Sequence, residues 1–344
     1  AMASPDKAVD ALFRKAGIIR CYSRGELVNV ASALMYPAPK GNRFAIVTHA
    51  GGPAVMQTDI LSGNGIEIPT FSGPKADELL SKLYPGSSVA NPIDFLATGT
   101  APQLGHILDA CENDFDVDGI TVIFGNPGLT TTFDVYDLLT EKIKSSKKPI
   151  YPVLPSIVNS AEEIRKFQGD GGISFPDEVA LGGAIVKIVN QPAAIEDSTL
   201  PQVDIQTIRG VIDSASNGYL EPEKVQMLLD AAGIPRAKEV VAATEEEALQ
   251  GARTVGYPLV MKVIGPIHKS DVGGVALNIS DDETLVAEFR RMIQIPQTTA
   301  ILMQPMLSGT QIFIGAKREG AFGHLVLCGL GGIFIETLKD ISYS

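Results

Sequence analysis

Residues 260–275 read VMKVIGPIHKSDVGGV, an apolar strand that carries a lysine near its end and runs into a glycine-rich segment. A lysine at a strand end can reach nucleotide phosphates as a compact positive charge. His268 lies between Gly265-Pro266 and Gly273-Gly274, a composition typical of a loop that can move. Because a neutral imidazole can accept a phosphoryl group near cellular pH, Lys262 and His268 favour phosphoryl chemistry over an ordinary surface-loop histidine.

The sequence around this stretch predicts two helices followed by a β-rich region. Pro222–Ala232 is the first helix, and Glu245–Val255 is the second, which begins with a capping box formed by Thr244 and Glu247. A third helix is predicted at Asp282–Met292. Strands are predicted at Pro258–Val263, Gly274–Ile279, Ala300–Gln304, Gln311–Ala316 and His324–Leu327. Two helices before a β-rich lobe with a lysine-terminated strand are the layout of an ATP-grasp nucleotide site.

Strands and helices alternate regularly from residue 41 to residue 191, which predicts a parallel sheet covered by helices on both faces. Ligands of such sheets bind at the C-terminal ends of the strands. Residues 192–217 lose this rhythm and are predicted to be a linker with a short helix. Two helices are predicted within residues 1–37. The predicted strands are Gly17–Cys21, Arg43–Val47, Ile66–Phe71, Gly119–Phe124, Ile150–Leu154 and Gly172–Phe175.

The segment THAGGP, residues 48–53, joins a predicted strand to a predicted helix. Gly51 and Gly52 would let the backbone approach a phosphate at the positive end of the helix, although a glycine pair in such a turn often only makes the turn. His49 is interpreted as a capping or packing residue. In NPID, residues 91–94, Asp94 is expected to bond local backbone, which is a structural role.

A second glycine-rich run, GLGGIFIE, occupies residues 329–336. It could close over phosphates, and Glu336 could hold Mg²⁺ or a water bound to it. A glycine cluster by itself is a weak signal. The two remaining histidines, His106 and His324, belong to no motif and are interpreted as structural.

Composition limits the possible partners of the chain. Its 344 residues predict two or three domains, and a net charge of −12 argues against a nucleic-acid-binding surface. The three cysteines, Cys21, Cys111 and Cys328, have no CxxC spacing, which fits a reducing compartment. No apolar run reaches the roughly 18 residues of a membrane span. A cytoplasmic protein with neither a membrane nor a nucleic-acid partner is expected.

Several of these motifs resemble ADP-forming (NDP-forming) acyl-CoA synthetases of the succinyl-CoA synthetase superfamily, of which ADP-forming acetyl-CoA synthetase is the commonest type. Lys262, HKSDVGGV (268–275), MQPM (303–306) and GLGGIFIETLKD (329–340) resemble their ATP-grasp domain. THAGGP and NPID resemble their ligase-CoA domain, and AGIIRC (16–21) resembles the end of a preceding flavodoxin-like domain.

The resemblance implies an α/β fold in which a flavodoxin-like, doubly wound parallel-sheet domain precedes an α+β ATP-grasp domain. Residues 1–40 would be the end of one flavodoxin-like domain, and residues 41–191 would be the ligase-CoA domain. After the linker, residues 218–344 would be an ATP-grasp domain that is incomplete at its C-terminus. A homodimer or an α/β-type assembly is expected.

In that family, acyl-CoA and phosphate give an acyl phosphate, whose phosphoryl group passes over two histidines to ADP. The resemblance makes His268 the second, nucleotide-side histidine, and it implies ATP or ADP, Mg²⁺ and CoA as ligands. The nucleotide-binding residues would be Lys262, Met303, Gln304, Pro305, Met306, Gly331 and Gly332. The phosphate-binding residues would be Gly51, Gly52, Ser270, Asp271, Gly273 and Gly274, and Glu336 would bind Mg²⁺.

The sequence also departs from the family pattern. The first histidine of the relay and the CoA-binding domain are expected to precede Ala1, and the last metal ligands are expected to follow Ser344. Gln311 stands where the family often has glutamate. A fragment of this kind is not expected to complete a catalytic cycle alone. The alternatives are a regulatory synthetase-like module, such as that fused to protein acetyltransferases, and an ATP-grasp carboxylate–amine ligase.

Overall fold

The computed structural model describes residues 6–126, 128, 131–195, 201–266, 271–320, 323–331 and 341–343. The chain folds into two compact units. The first unit includes the described residues up to Ile195, and the second includes those from 201 to 315. Among the described helices, none has both the length and the hydropathy that a bilayer span requires.

The first unit alternates helices and strands, as the sequence predicts. Its strands are β1 (Phe44–Thr48), β2 (Ile93–Asp94), β3 (Gly119–Ile123) and β4 (Ile150–Val153). They form a parallel sheet in the order β2-β1-β3-β4. The helices are α1 (Asp6–Lys15), α2 (Arg24–Ala33), α3 (Gly51–Ser62), α4 (Pro74–Leu80), α5 (Ala101–Asn113), α6 (Phe133–Ser145), α7 (Ala161–Gly169) and α8 (Glu178–Val189).

Both faces of this sheet are buried, because side chains alternate along each strand. Phe44 and Ile46 pack into one cluster with α2, α3 and α8. Ala45 and Val47 pack into the other cluster with α4, α5, α6 and α7. The predicted doubly covered parallel sheet is therefore confirmed. α2 begins where Ser23 caps it by accepting a hydrogen bond from the Glu26 N–H.

Three predicted strands are wrong, and one strand of the sheet was not predicted. Gly17–Cys21 is irregular, while Ile66–Phe71 and Gly172–Phe175 each make only a single bridge, through Glu67 and Phe175. These segments are apolar because Ile19, Cys21, Ile68 and Ile173 pack against a core cluster, and one bridge is too little pairing to form a strand. The missed strand, β2, has two residues, which is too short to show a periodicity.

The side chain of Asn91 links β1 to the segment that leads into β2. Its Oδ1 accepts a hydrogen bond from the Ile46 N–H at 3.0 Å, and its Nδ2 donates to the carbonyl oxygens of Phe44 and Pro69 at 3.0 and 2.9 Å. The side-chain amide thus replaces a peptide group along β1, directly ahead of β2. Asn91 adopts φ 73°, a region that asparagine tolerates better than most residues.

The second unit contains an antiparallel sheet in the order β5-β8-β6-β7. Its strands are β5 (Val240–Ala242), β6 (Leu259–Ile264), β7 (Val275–Ile279) and β8 (Ala300–Pro305), and its helices are α9 (Ile205–Ser214), α10 (Pro222–Ala231), α11 (Glu245–Val255) and α12 (Asp282–Met292). The predicted capping box is confirmed, since Glu247 N–H donates to Thr244 Oγ1 and the Glu247 carboxylate accepts from the Thr244 N–H.

A separate three-stranded sheet has the order β11-β10-β9 and consists of β9 (Ile312–Glu319), β10 (Gly323–Leu330) and β11 (Ile341–Tyr343).

The role of Asn91 can be tested by replacing it with glycine, which keeps the positive φ but removes the amide. Three hydrogen bonds to backbone are lost, so we expect Asn91→Gly to lower the free energy of unfolding by roughly 2–4 kcal/mol. Urea unfolding followed by circular dichroism measures this change. Asn113→Ala, which removes one exposed hydrogen bond at the end of α5, is the control and should cost less than about 1 kcal/mol. Equal losses in the two variants would contradict the role of Asn91.

Candidate functional site

The two faces of the antiparallel sheet β5-β8-β6-β7 differ in burial. Met261, Val263 and Met303 lie on the face that packs against α11 and α12. The opposite face, which we call the open face, carries Lys262 and Gln304. Its further side chains, assigned by strand register, include Val241, Val275 and Leu302, as well as Val260 and Ala300, which are buried. Lys262, Gln304, Val275 and Leu302 are partly exposed, and Val241 is 45% exposed.

Lys262 lies in the middle of the open face, opposite Leu302 on β8 and Val275 on β7. Apolar side chains next to an ammonium group suit a ligand with a flat apolar part and an anionic part. Gln304 is two residues from Leu302 on the same face, and its Oε1 accepts a hydrogen bond from Lys262 Nζ at 2.9 Å. Lys262 therefore has a polar partner on the open face.

The hydrogen bonds continue from Gln304 to the loop before β5. Gln304 Nε2 donates to Glu239 Oε2 at 2.8 Å, and Glu239 Oε1 pairs with Arg236 Nη1 at 3.2 Å. Arg236 also makes a bidentate pair with Asp230 at the end of α10, with two contacts of 2.7 Å. The pairing with Arg236 holds the pKa of the Asp230 carboxyl below its usual value. Five side chains thus form one connected chain from α10 to the open face.

Gly273 and Gly274 lie directly before β7, whose first residue, Val275, pairs with Lys262. The Gly274 carbonyl accepts a hydrogen bond from the Val263 N–H at 2.9 Å, which continues the pairing of β6 with β7. Gly273 adopts φ 67°, and its carbonyl accepts a hydrogen bond from Arg291 at 3.1 Å. Asp271 is exposed in the turn before them. His268 and Ser270, between Lys262 and this turn, lie outside the described residues.

The MQPM segment presents little of itself to the open face. The Met303 side chain is fully buried in the core, and Pro305 pairs with Leu259. The Met306 N–H donates to the Pro258 carbonyl at 3.0 Å, so that donor is already engaged. Gln304 is the residue of this segment with a side chain on the open face. Gly331 hydrogen-bonds through its N–H to Gln311 O at 2.8 Å, and Gly332 and Glu336 lie outside the described residues.

In the first unit, the ends of the parallel strands border a cavity of about 500 Å³. The N-terminal ends of α5 and α6 both line it, and each carries the positive end of a helix dipole, although the Val135 N–H at the start of α6 donates to Asp134 Oδ1 at 2.9 Å. Gln103 Oε1 accepts the Thr100 N–H at 3.1 Å, and the Thr132 hydroxyl lies 3.2 Å from that of Ser160. The lining residues are Ala97, Thr98, Gly99, Thr100, Phe124, Thr131, Thr132, Phe133, Asp134 and Val135.

Gly51 and Gly52 begin α3 at the end of β1, as the THAGGP motif predicts. Both are exposed, and a Cβ added at Gly52 would meet nothing within 4 Å. A Cβ at Gly51 would lie 3.6 Å from Asp94 Oδ2, so a carboxylate already lies beside this helix start. Asp94 also accepts a hydrogen bond from the Leu96 N–H, which is the local backbone bond predicted for it.

His49 packs in the turn between β1 and α3. Its ring lies against Phe124, with the ring centroids 4.6 Å apart, and its Nδ1–H donates to the Ile123 carbonyl at 3.2 Å. Burial lowers the pKa of the imidazole, and the bond to Ile123 and the charge of Asp94 oppose this shift. The packing role predicted for His49 is therefore confirmed.

The described residues offer no metal site, since nowhere among them do three or more His, Cys, Asp or Glu side chains gather closely enough to hold an ion. Glu336, the residue predicted to bind Mg²⁺, lies outside that part of the chain. Sequence reasoning missed Glu239, Arg236 and the cavity between α5 and α6. The Thr100–Gln103 spacing, a capping-box signature, was a readable signal for the start of α5.

The class of the second unit follows from its sheet, its lysine and a family match. Residues 212–344 match the family model of the ATP-grasp domain. The open face therefore lies within the segment that matches an ATP-grasp domain, which the order of its helices and strands predicts.

The chain as a whole is similar to ADP-forming CoA ligases, and the resemblance of its motifs is confirmed. The 4-hydroxybutyrate–CoA ligase (ADP-forming) of Nitrosopumilus maritimus strain SCM1 is 28% identical over 367 residues, which cover 100% of this chain and 52% of that protein. The beta subunit of acetate–CoA ligase (ADP-forming) I of Pyrococcus furiosus is 40% identical over 148 residues, which cover 39% of this chain and 63% of the subunit. The chain thus spans about half the length of the relative that it matches from end to end.

A solved structure supports the same fold. Acetyl-coenzyme A synthetase 1 of Ca. Korarchaeum cryptofilum, in complex with phosphate and ADP, superposes with a TM-score of 0.50 at 24% identity. The superposition covers 55% of this chain and 41% of that one.

The burial of His49 predicts a pH dependence of stability. Because its folded-state pKa lies below the ordinary value of 6.5, the unfolded chain takes up the proton first as the pH falls. His49 therefore makes its full contribution to the free energy of unfolding above about pH 7. This contribution is lost as the pH falls towards the folded-state pKa of His49. Thermal unfolding between pH 5 and 8 should show a smaller acid-side loss in His49→Gln than in wild type. His106→Gln, at an exposed position on α5, is the control and should keep the wild-type profile. An unchanged profile in His49→Gln would contradict this assignment.

Proposed function

We propose that this chain supplies the nucleotide-binding half of an ADP-forming acyl-CoA synthetase, which interconverts acyl-CoA, ADP and phosphate with a carboxylic acid, ATP and CoA. The observation that carries the proposal is Lys262 on the open face of an ATP-grasp domain, bordered by apolar side chains. In this proposal, the base of the nucleotide lies on the apolar part of the open face. The Lys262 ammonium group contacts its phosphates.

His268 is the proposed phosphoryl carrier on the nucleotide side. Its position between Lys262 and the Gly273-Gly274 turn supports this role, because both flanking elements lie at the same end of β6 and β7. A neutral imidazole nitrogen attacks the terminal phosphorus of ATP, the bond to ADP breaks, and the reverse step returns the phosphoryl group to ADP. Ser270, Asp271 and the two glycines would border the transferred group.

Phosphate groups are also proposed to bind in the first unit. The start of α3 at Gly51-Gly52 and the cavity between the starts of α5 and α6 both offer helix N-termini at the C-terminal edge of a parallel sheet. A relay by way of histidine would let a phosphoryl group pass between two sites without releasing an acyl phosphate to water.

Further ligands and partners belong to the same proposal. Mg²⁺, held by Glu336, would neutralise part of the charge of the nucleotide phosphates. CoA and the acyl group would bind mainly outside this chain. Association into a homodimer or an α/β-type assembly is supported by the relative from Pyrococcus furiosus, which is one subunit of such a ligase. A cytoplasmic location is supported by three cysteines that form no disulfide.

Replacing Lys262 tests the nucleotide site directly. Lys262→Ala removes a charge-assisted contact with phosphate, so we expect the dissociation constant of ADP to rise roughly 10- to 100-fold. Isothermal titration calorimetry at fixed ionic strength measures it. Lys224→Ala, on α10 of the same unit, is the matched control and should change the constant less than about threefold. ADP binding that is equally strong without Lys262 would contradict the assigned site.

The histidine carrier can be tested by labelling. Incubation of the protein encoded by the complete gene with radiolabelled ATP and Mg²⁺ should give a phosphoprotein that is labile to acid and stable to base. His268→Asn should lose this label, and His106→Asn should keep it. Normal labelling of His268→Asn would exclude His268 as the acceptor. ADP binding without any label or acyl-CoA turnover would instead favour a regulatory module.

A further inference from the structure

We propose that Gln304 is a positioning residue for Lys262, held in one orientation by Glu239, and that it keeps the lysine charge available for nucleotide phosphates. This inference rests on the proposed nucleotide site. It assigns Gln304 a role different from contact with the base. It adds Glu239, which no motif in the sequence indicated.

The orientation of the Gln304 amide is fixed by its two partners. Lys262 can only donate hydrogen bonds, so it requires the amide oxygen, and it lies 2.9 Å from Gln304 Oε1. A carboxylate can only accept, so Glu239 requires the amide nitrogen, which lies 2.8 Å from Glu239 Oε2. A flipped amide would break both bonds. Glu239 therefore determines that Gln304 presents its oxygen to Lys262.

Glu239 is itself held in place. Its side chain is 15% exposed, and Arg236 pairs with its other oxygen at 3.2 Å. Asp230 anchors Arg236 at the end of α10 through two contacts of 2.7 Å. The orientation of Gln304 is thus tied to the helix that precedes the sheet.

The charges along this chain explain why a neutral residue at position 304 matters. Asp230, Arg236 and Glu239 alternate in sign, and Gln304 separates Glu239 from Lys262. A carboxylate in contact with Lys262 would form an ion pair and compete with the phosphates. The neutral amide oxygen instead restrains the ammonium group through one hydrogen bond without neutralising its charge.

A double-mutant cycle separates positioning of Lys262 from direct contact with the nucleotide. We expect Gln304→Met, which keeps the side-chain length without the amide, to weaken ADP binding roughly fivefold or more. In a Lys262→Ala background, the same change should have less than about a twofold effect. Gln304→Glu should weaken binding more than Gln304→Met, because the new carboxylate pairs with Lys262. Titration calorimetry with ADP measures all the variants, and circular dichroism confirms that each is folded.

Gln250→Met, at an exposed position of α11, is the matched control and should leave ADP affinity unchanged. An equal loss from Gln304→Met with and without Lys262 would overturn the inference, since Gln304 would then contact the nucleotide itself. Wild-type affinity in both Gln304 variants would overturn it as well and would leave the proposed function standing. Absence of ADP binding by the wild-type protein would overturn the proposed function together with this inference.

Discussion

The alternation of side chains between the two faces of a β-strand is the constraint on which both units depend. In the first unit it divides β1 between two cores, with Phe44 and Ile46 on one side and Ala45 and Val47 on the other. In the second unit it places Met261 and Met303 in the only large core that the described residues of that unit form. Lys262 and Gln304, one residue further along their strands, must then face away from that core.

A lysine ammonium group is too costly to bury unpaired, so Lys262 stays partly exposed on the open face of the second sheet. The chain has a net charge of −12, which repels anions at long range. The proposed nucleotide site would therefore depend on local features, among them the Lys262 ammonium group, apolar neighbours and an amide that restrains the lysine without neutralising it. The charge of Lys262 would matter more to such a site than it would in a basic protein.

In the first unit, the described residues that line the cavity include no lysine. Its parallel strands all end at one edge, and the helices that follow them begin there, so that helix N-termini converge around the cavity between α5 and α6. The side chain of Asn91 holds the segment ahead of β2 against the backbone of β1. In the proposed function, the two units would thus hold phosphate groups in different ways, with helix N-termini in one and a side-chain cation in the other.

Sequence alone determined the elements that depend on local pattern. The Thr244–Glu247 capping box, the buried strands β1, β3 and β4, and the strand-end lysine were all readable, because their signals span only a few residues. Tertiary structure decided the rest. The two-residue strand β2 exists only because β1 pairs with it. Glu239 meets Gln304, which is 65 positions away, and Gln304 meets Lys262 across 42 positions. Such contacts leave no local periodicity, since strand order and register alone bring these residues together.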